Sequence, residues 1–164
     1  MRRVGNILKG NTPWVAIIDG QDIVVRGVLA TCFGGGHDQG DNGETESGIP
    51  NDGRNPHLLG VALPIRSIEA ATAGSPLAFP GLHIPWESEV RVWRDADGED
   101  TAIVTQLIDN GPNDRKYPTH GLDMTVSAAH HFAPHIPVEL LANSWEGEGF
   151  SYRIKGAARY APSC

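Results

Sequence analysis

The sequence has little of what would place it on nucleic acid or in a membrane. Its 164 residues hold 13 lysines and arginines against 20 aspartates and glutamates, for a net charge of −7 at pH 7. This balance excludes the basic surface that phosphate backbones attract, and an anionic membrane surface would repel the chain. No run of about 18 apolar residues is present, so no membrane-spanning helix is predicted. Neutral or cationic partners fit this charge better, and polysaccharide is one of them.

Cysteine is also scarce. The chain has two cysteines, Cys32 in a strand-like run and Cys164 at the last position. They do not resemble the disulfide framework of a small secreted domain, and we interpret both as free thiols, although a pair between them stays open. The start, Met-Arg-Arg-Val-Gly-Asn, is basic but has no apolar stretch of the kind found in signal peptides. The sequence alone therefore leaves the compartment unknown.

Length and composition predict one domain. With 164 residues and 40% hydrophobic content, the chain is long enough to bury a core of its own. Residues 1–13 are polar and predict an N-terminal arm. The domain is expected over residues 14–155, with a tail at 156–164. Glycine and proline near both ends would also allow self-association, with the arms docking on neighbouring copies.

Short β-rich runs separated by glycine turns follow one another along the chain. The predicted strands are Trp14–Ile18, Ile23–Thr31, Leu58–Pro64, Glu89–Arg94 and Thr101–Ile108. Short helices are predicted over 66–73 and 124–132, and short closing elements over 136–141 and 150–154. Many short strands with one or two short helices indicate an all-β fold and a closed β-barrel.

Two aspartates stand at the ends of neighbouring apolar runs. Asp109 follows Thr105-Gln-Leu-Ile108, and Asp123 precedes the helix predicted over 124–132. One interpretation is an acid/base site at the mouths of adjacent elements. The other makes Asp109 a turn former and Asp123 a helix N-cap, roles that aspartate takes for local reasons alone. The choice between them depends on the rest of the chain.

Metal sites are not favoured. Three aspartates alternate with glycines in the long segment 34–57, but the glutamate that ends an EF-hand loop is out of register. His131 and His135 are four residues apart, but Pro134 breaks the helix that would align them. We predict no metal and no cofactor.

Three motifs occur in a fixed order within residues 28–132. The first is Ala30-Thr-Cys-Phe-Gly34 with His37-Asp38 and Thr45-Glu-Ser-Gly48. The second is Gly60-Val-Ala-Leu-Pro64 with Ile84-Pro-Trp-Glu-Ser-Glu-Val-Arg-Val92. The third is Asp109-Asn-Gly-Pro112 and Leu122-Asp-Met-Thr125 with Ala128-Ala129. In order and spacing they resemble the double-psi β-barrel superfamily of rare-lipoprotein-A-like lytic transglycosylases, the membrane-bound lytic transglycosylase A barrel, expansins and family 45 endoglucanases.

The chain departs from the family pattern in three places. Ile49 stands where the lipoprotein-like enzymes usually carry a glutamate, and the segment Gly60–Pro64 lacks their usual histidine. The insert over 66–83 is longer than the family norm. These departures bear on peptidoglycan cleavage more than on the fold.

The resemblance implies a six-stranded double-psi β-barrel with long loops and a groove lined by carboxylates. It implies an enzyme that cleaves peptidoglycan or a related β-linked polysaccharide, as a lytic transglycosylase or a glycoside hydrolase, with Asp109, Asp123 and Asp38 as catalytic groups. Asp109 is our choice for the acid, because apolar Ile108 and the other aspartates would raise its pKa. An extracellular or cell-wall-facing location is suspected from the resemblance.

Aromatic, imidazole and amide side chains beside these carboxylates are expected to contact the sugar rings. The expected substrate-binding residues are Trp86, Tyr117, Phe33, His37, Gln106, Asn110 and His120. The alternative function is a noncatalytic barrel that binds glycan in the manner of expansins or serves a structural or assembly role. In that case the aspartates serve only turn and cap geometry.

Overall fold

The computed structural model describes residues 6–7, 14–36, 38, 42–73, 83–112 and 119–159. The strands are β1 (Asn6–Ile7), β2 (Val15–Asp19), β3 (Asp22–Cys32), β4 (Gly60–Leu63), β5 (Glu89–Arg94), β6 (Ile103–Asn110), β7 (His120–Met124) and β8 (Glu146–Ile154). The α-helices are α1 (Ile65–Ala73), α2 (Val126–Phe132) and α3 (Val138–Ser144), and 3₁₀ turns lie at Glu99–Thr101 and Ala157–Arg159. The predicted all-β class is confirmed. In these residues there are three short helices, where one or two were predicted.

Six of the strands close into a barrel. Each strand of the ring β3-β7-β4-β6-β5-β8 is hydrogen-bonded to the next, and β8 returns to β3. The pairs β3–β7 and β4–β6 are parallel, and the other four pairs of the ring are antiparallel. Closure leaves no unpaired sheet edge within the ring. The prediction of a closed β-barrel is therefore confirmed.

The barrel contains an internal repeat that is not visible in the sequence. Exchanging β3 with β6, β4 with β7 and β5 with β8 maps the ring onto itself and keeps every pair parallel or antiparallel as before. The registers follow the same exchange, since Thr31 pairs with Asp123 and Asp109 pairs with Ala62. The repeat therefore lies in the hydrogen-bonding pattern and not in residue identity.

Alternation along the strands decides which residues fill the barrel. Val61 and Leu63 are fully buried in the main core, and Leu107 joins them from the neighbouring strand. Burial of such a side chain stabilises the fold by about 1.5 to 3 kcal/mol. Because successive strand residues point to opposite faces, Ala62 and Ile108 point away from this core. Both belong to a second, smaller cluster with Phe33 and Leu58 on the outer face.

The closing elements are more regular than the sequence indicates. A helix, α3, begins at Val138 directly after Pro137, and its Leu141 is fully buried. β8 begins at Glu146, four residues before the predicted element, because the Glu-Gly-Glu-Gly run pairs with the end of β3 at Thr31. Helical and extended backbone in these short segments is fixed by packing against the barrel and not by residue preference.

Both ends of the domain have contacts beyond the predicted boundaries. Residues 6–7, within the predicted arm, pair with β2. In the predicted tail, the N–H of Gly156 donates to Asp22 at 2.7 Å and the N–H of Ala158 donates to the carbonyl of Gln21 at 2.9 Å. In the ranges described, no helix combines the length and the apolar character that a membrane crossing requires.

A group of charged side chains joins β8 to two turns at one end of the barrel. Arg153, with a side chain only 14% exposed, donates to Glu99 at 2.7 Å, to Asp19 at 3.0 Å and to Asp22 at 3.1 Å. Lys155 contacts Asp22 at 3.1 Å. Burial raises the pKa of Asp22, but hydrogen bonds from Gly156, Lys155 and Arg153 outweigh it and hold that pKa below its usual value. We call Arg153, Lys155 and their three acidic partners the Arg153 cluster.

Candidate carboxylate site

Two aspartates lie in one row across neighbouring strands on the outer face of the barrel. Asp123 of β7 pairs with Ala62 of β4, and Ala62 pairs with Asp109 of β6. Directly paired residues point to the same face, so both carboxylates flank the small Ala62 side chain. Two strand spacings separate their Cα atoms, which corresponds to roughly 10 Å. We call Thr31, Asp123, Ala62 and Asp109 the carboxylate row.

Asp109 reaches this face because of an irregularity in its strand. The register between β4 and β6 shifts so that Val61 pairs with Leu107 and Ala62 pairs with Asp109, leaving Ile108 without a partner. One extra residue in a strand re-aims the side chains around it, a feature that often lies next to active sites. The buried Ile108 and the half-buried Asp109 consequently share the outer face.

The environment of Asp109 favours the protonated acid. Burial raises its pKa, and the nearby charge of Glu46 acts in the same direction. Two backbone N–H groups act against this rise, since Oδ1 of Asp109 accepts from Glu46 at 3.1 Å and from Asn110 at 2.9 Å. The net shift is upward, as expected for a carboxyl that holds a proton for transfer.

Asp123 and Asp38 lie close to the same buried thiol. The hydroxyl of Thr31 donates to Asp123 at 2.9 Å, and Asp38 accepts from the backbone N–H of Gly34 at 3.0 Å. Burial raises the pKa of the Cys32 thiol far above its usual value, and the charges of Asp123 and Asp38 raise it further. The two carboxylates therefore share one neighbourhood at the end of β3.

The segment 42–58 lies against this outer face and limits access to it. Its Ser47 N–H donates to the carbonyl of Ile108 at 3.1 Å. The buried Asn51 donates from Nδ2 to the carbonyl of Phe33 at 3.1 Å and holds the segment to the end of β3. Phe33 and Leu58 then close over Ala62 and Ile108. The segment thus covers the middle of the row, while Asp109 and Asp123 keep part of their surface accessible.

Four of the other predicted site residues, Trp86, Gln106, Phe33 and Asn110, lie in described parts of the chain. Trp86 is 37% exposed and lies on a turn beside β6. The N–H of Glu87 in this turn donates to the carbonyl of Leu107 in β6. Gln106 lies on the outer face of the same strand. Phe33, in contrast, is buried in the outer cluster. Asn110 accepts from the N–H of Ile65 at 3.3 Å at the start of α1.

Of the three remaining predicted residues, the structure describes only His120. His120 begins β7 three residues before Asp123, which places it roughly 10 Å away along the strand. His37 and Tyr117 lie outside the described residues, as does Cys164. In the part of the chain that is described, no three histidine, cysteine, aspartate or glutamate side chains are grouped as metal ligands.

Sequence reasoning missed three contributors to the site. Thr31 orients Asp123, Ala62 makes room between the carboxylates, and the Glu46 N–H orients Asp109. Thr31 and Glu46 both fall within motifs that the resemblance singled out, so their positions carried a signal. Ala62 also falls within such a motif, Gly60–Pro64, but its place between the carboxylates depends on the strand order and could not be found from that motif.

Comparisons with protein-family models and with curated proteins found no match to this chain. The fold and the site therefore define its class: a closed six-stranded β-barrel with two aspartates on one row of its outer face.

Cys32 is expected to resist alkylation in the folded protein. The thiol is buried, and its raised pKa leaves almost none of the reactive thiolate at pH 8. After iodoacetamide treatment, peptide mapping should show Cys32 labelled only when denaturant is added. Rapid labelling of Cys32 in the native state would contradict its burial in the main core of the barrel.

Proposed function

We propose that the protein is a double-psi β-barrel that cleaves peptidoglycan or a related β-linked polysaccharide by carboxylate acid/base catalysis. The barrel supports the family part of this proposal. Two parallel pairs related by the exchange of β3 with β6 and β4 with β7 are the arrangement expected if two interlocked psi motifs form the ring. Each of the three motifs that carry the resemblance has a part on β3, β4, β6 or β7, the strands of those pairs, and the second motif also extends onto β5.

The carboxylate row is the observation on which the activity rests. Asp109 has a raised pKa and is the proton donor, while Asp123, oriented by Thr31, faces it across Ala62. Glycosidases with a water between their carboxyls hold them about 6.5 to 9.5 Å apart, whereas those with a covalent intermediate need about 5 to 5.5 Å. Because directly paired residues project in parallel from one face, the two carboxyls lie about as far apart as their Cα atoms, roughly 10 Å, which is nearer to the wide arrangement than to the narrow one.

The reaction follows from these positions. Asp109 donates its proton to the glycosidic oxygen while the bond from that oxygen to the anomeric carbon breaks and its electron pair leaves with the oxygen. In the lytic reaction a hydroxyl of the same sugar then bonds to the anomeric carbon, and its proton passes to a carboxylate of the row. In hydrolysis a water molecule takes the place of that hydroxyl.

The outer face of β6 provides a surface for the glycan chain. Val104 and Gln106 lie on this face beyond Asp109, and Val104 is 54% exposed. Leu59, whose carbonyl accepts from the N–H of Gln106, and Trp86 are also exposed and apolar. Apolar side chains around one amide suit a saccharide, because the face of a sugar ring packs on apolar groups and its hydroxyls form hydrogen bonds with the amide.

Product analysis tests the proposal. We expect the wild type and the Asp100→Asn variant, which changes an exposed aspartate in the β5–β6 connection, to release products from peptidoglycan sacculi or soluble β-glucans. Asp109→Asn should release about 10²- to 10⁴-fold less product. Anhydro-muropeptides in mass spectra would identify a lytic transglycosylase, and reducing-end oligomers would identify a hydrolase. Products from Asp109→Asn at the wild-type rate would contradict the assignment of the acid.

The second candidate function is a noncatalytic glycan-binding barrel. The segment 42–58 favours it, because it covers the middle of the row and gives Asp109 a structural task as acceptor of two backbone N–H groups. This candidate predicts that the wild type and Asp109→Asn pellet equally with one of the polymers and that neither releases products.

A further inference from the structure

A cavity of about 290 Å³ lies on the other side of the loop that precedes β4. This loop lines the cavity with Asn55 and His57, α2 lines it with Ser127 and His130, and α3 lines it with Val138. None of the four residues of the carboxylate row lines the cavity, whereas Leu58 of the loop lines it and also packs in the outer cluster. The cavity is therefore a site apart from the one described above.

The lining of this cavity is unusual for so acidic a protein. The chain has a net charge of −7, yet no acidic residue and no lysine or arginine lines the cavity. Within the described ranges, the side chains of His57, Ser127 and His130 make no hydrogen bond. Two imidazoles from different elements and a hydroxyl are thus available to a ligand, together with the apolar side chains of Leu58, Val126 and Val138.

We propose that this cavity binds a small carboxylate-bearing ligand between the imidazoles of His57 and His130. A protonated histidine has two N–H donors, and an ionised carboxylate only accepts, so their hydrogen bonds are complementary and charge-assisted. Ligand pockets usually measure about 300 to 1,000 Å³, which limits the ligand here to a small one. Binding is expected to be stronger at lower pH, because only a protonated ring donates from both of its nitrogens.

The other charged residues on the loop, α2 and α3 do not line the cavity. In the loop, Asp52 is paired with Arg54 at 2.8 Å. On α3, Glu139 is exposed, and on α2 His131 is exposed with its ring centroid 5.0 Å from that of Phe132. None of these four charged residues lines the cavity. His131 consequently offers a matched control, a histidine on the same helix that points elsewhere.

Nuclear magnetic resonance titration with glucuronate and with glucose tests this proposal. The two sugars have the same ring and differ in the carboxylate. At pH 5.5 we expect glucuronate to shift the imidazole resonances of His57 and His130 saturably, and glucose to leave them unchanged. Binding should weaken at least about tenfold at pH 8.0 and in His57→Gln and His130→Gln, each of which removes a charge-assisted hydrogen bond. Amide spectra of the variants report whether they remain folded.

Three outcomes would overturn the proposal. Equal binding of glucose and glucuronate would indicate a site for neutral sugars. A loss in His131→Gln as large as that in His130→Gln would assign the signal to general attraction of anions. The absence of a saturable shift with either sugar at pH 5.5 would show that the cavity takes no such ligand.

Discussion

Replacing Arg153 by methionine is expected to lower the free energy of unfolding by about 3 kcal/mol, because removing one partner of a largely buried ion pair leaves the other partners uncompensated. The guanidinium contacts Glu99, Asp19 and Asp22 within 2.7 to 3.1 Å. Without it, three carboxylates have only Lys155 as a neighbouring cation in the cluster. Urea unfolding followed by circular dichroism would measure the change.

The same substitution at Arg91 is the matched control. Arg91 pairs with Glu89 at 2.8 Å, but both side chains are more than 40% exposed. An exposed pair contributes about 0 to 1 kcal/mol, so Arg91→Met should change stability little. If Arg91→Met were as destabilising as Arg153→Met, burial of the Arg153 cluster would not explain the effect. A second change, Asp22→Asn, should recover part of the loss in Arg153→Met because it removes one uncompensated charge.

The loss in Arg153→Met should also depend on pH. Asp22 has a lowered pKa in the folded protein, so its contribution to stability is present above the unfolded value of about 3.9 and is lost as pH falls through the folded pKa. Arg153 is one cause of that lowering. The difference between wild type and variant should therefore be full at pH 7 and shrink below about pH 4. A difference that stays constant with pH would contradict this account.

The sequence was informative where local chemistry decides the structure. The turn residues Asp95-Ala-Asp-Gly98 predicted the β5–β6 hairpin, and the helix over 66–73 was predicted within one residue of α1. The motifs around Asp109 and Asp123 led to a barrel with Asp109 at the end of a strand, whereas the strand β7 that holds Asp123 was not predicted. The hairpin and the helix were predicted from residues that are near one another in the chain, and the barrel resemblance from the order and spacing of motifs over residues 28–132.

What could not be predicted depends on contacts between distant residues. The pairing of Ala62 with both aspartates requires the order of β7, β4 and β6, which no local pattern contains. The segment 42–58 has no periodicity, and its position follows from Asn51 and Leu58 fitting an outer cluster that exists only once the barrel closes. Asn110 was predicted to bind substrate, whereas its contact with the start of α1 depends on the fold.

Asp109→Asn should reduce glycan cleavage by about 10²- to 10⁴-fold, the usual contribution of a general acid, and should at the same time stabilise the folded protein at pH 7. The amide keeps an acceptor oxygen for the N–H groups of Glu46 and Asn110, so the local hydrogen bonds persist. It removes a carboxylate that burial makes unfavourable in its charged form. Unfolding of both proteins between pH 3 and 7 measures the effect.

The sign of the stability difference at pH 7 follows from the upward shift of the pKa of Asp109. A carboxyl whose folded pKa is raised gives its full contribution to stability below the unfolded value of about 3.9, and the contribution is lost as pH rises through the folded pKa. The variant has no such titration. The two proteins should therefore be equally stable near pH 3, and the variant should be the more stable one at pH 7. Asp100→Asn, at an exposed position, should show no such divergence.

This result separates the two interpretations of Asp109. A residue that only forms a turn is selected for stability, and its replacement by asparagine should be neutral or harmful at every pH. A residue held protonated for transfer destabilises the fold at neutral pH, and stabilising replacements at such positions remove activity. If Asp109→Asn were less stable than the wild type by the same amount at pH 3 and pH 7, the turn interpretation would stand. Greater stability at pH 7 together with lost cleavage would place Asp109 in the chemistry.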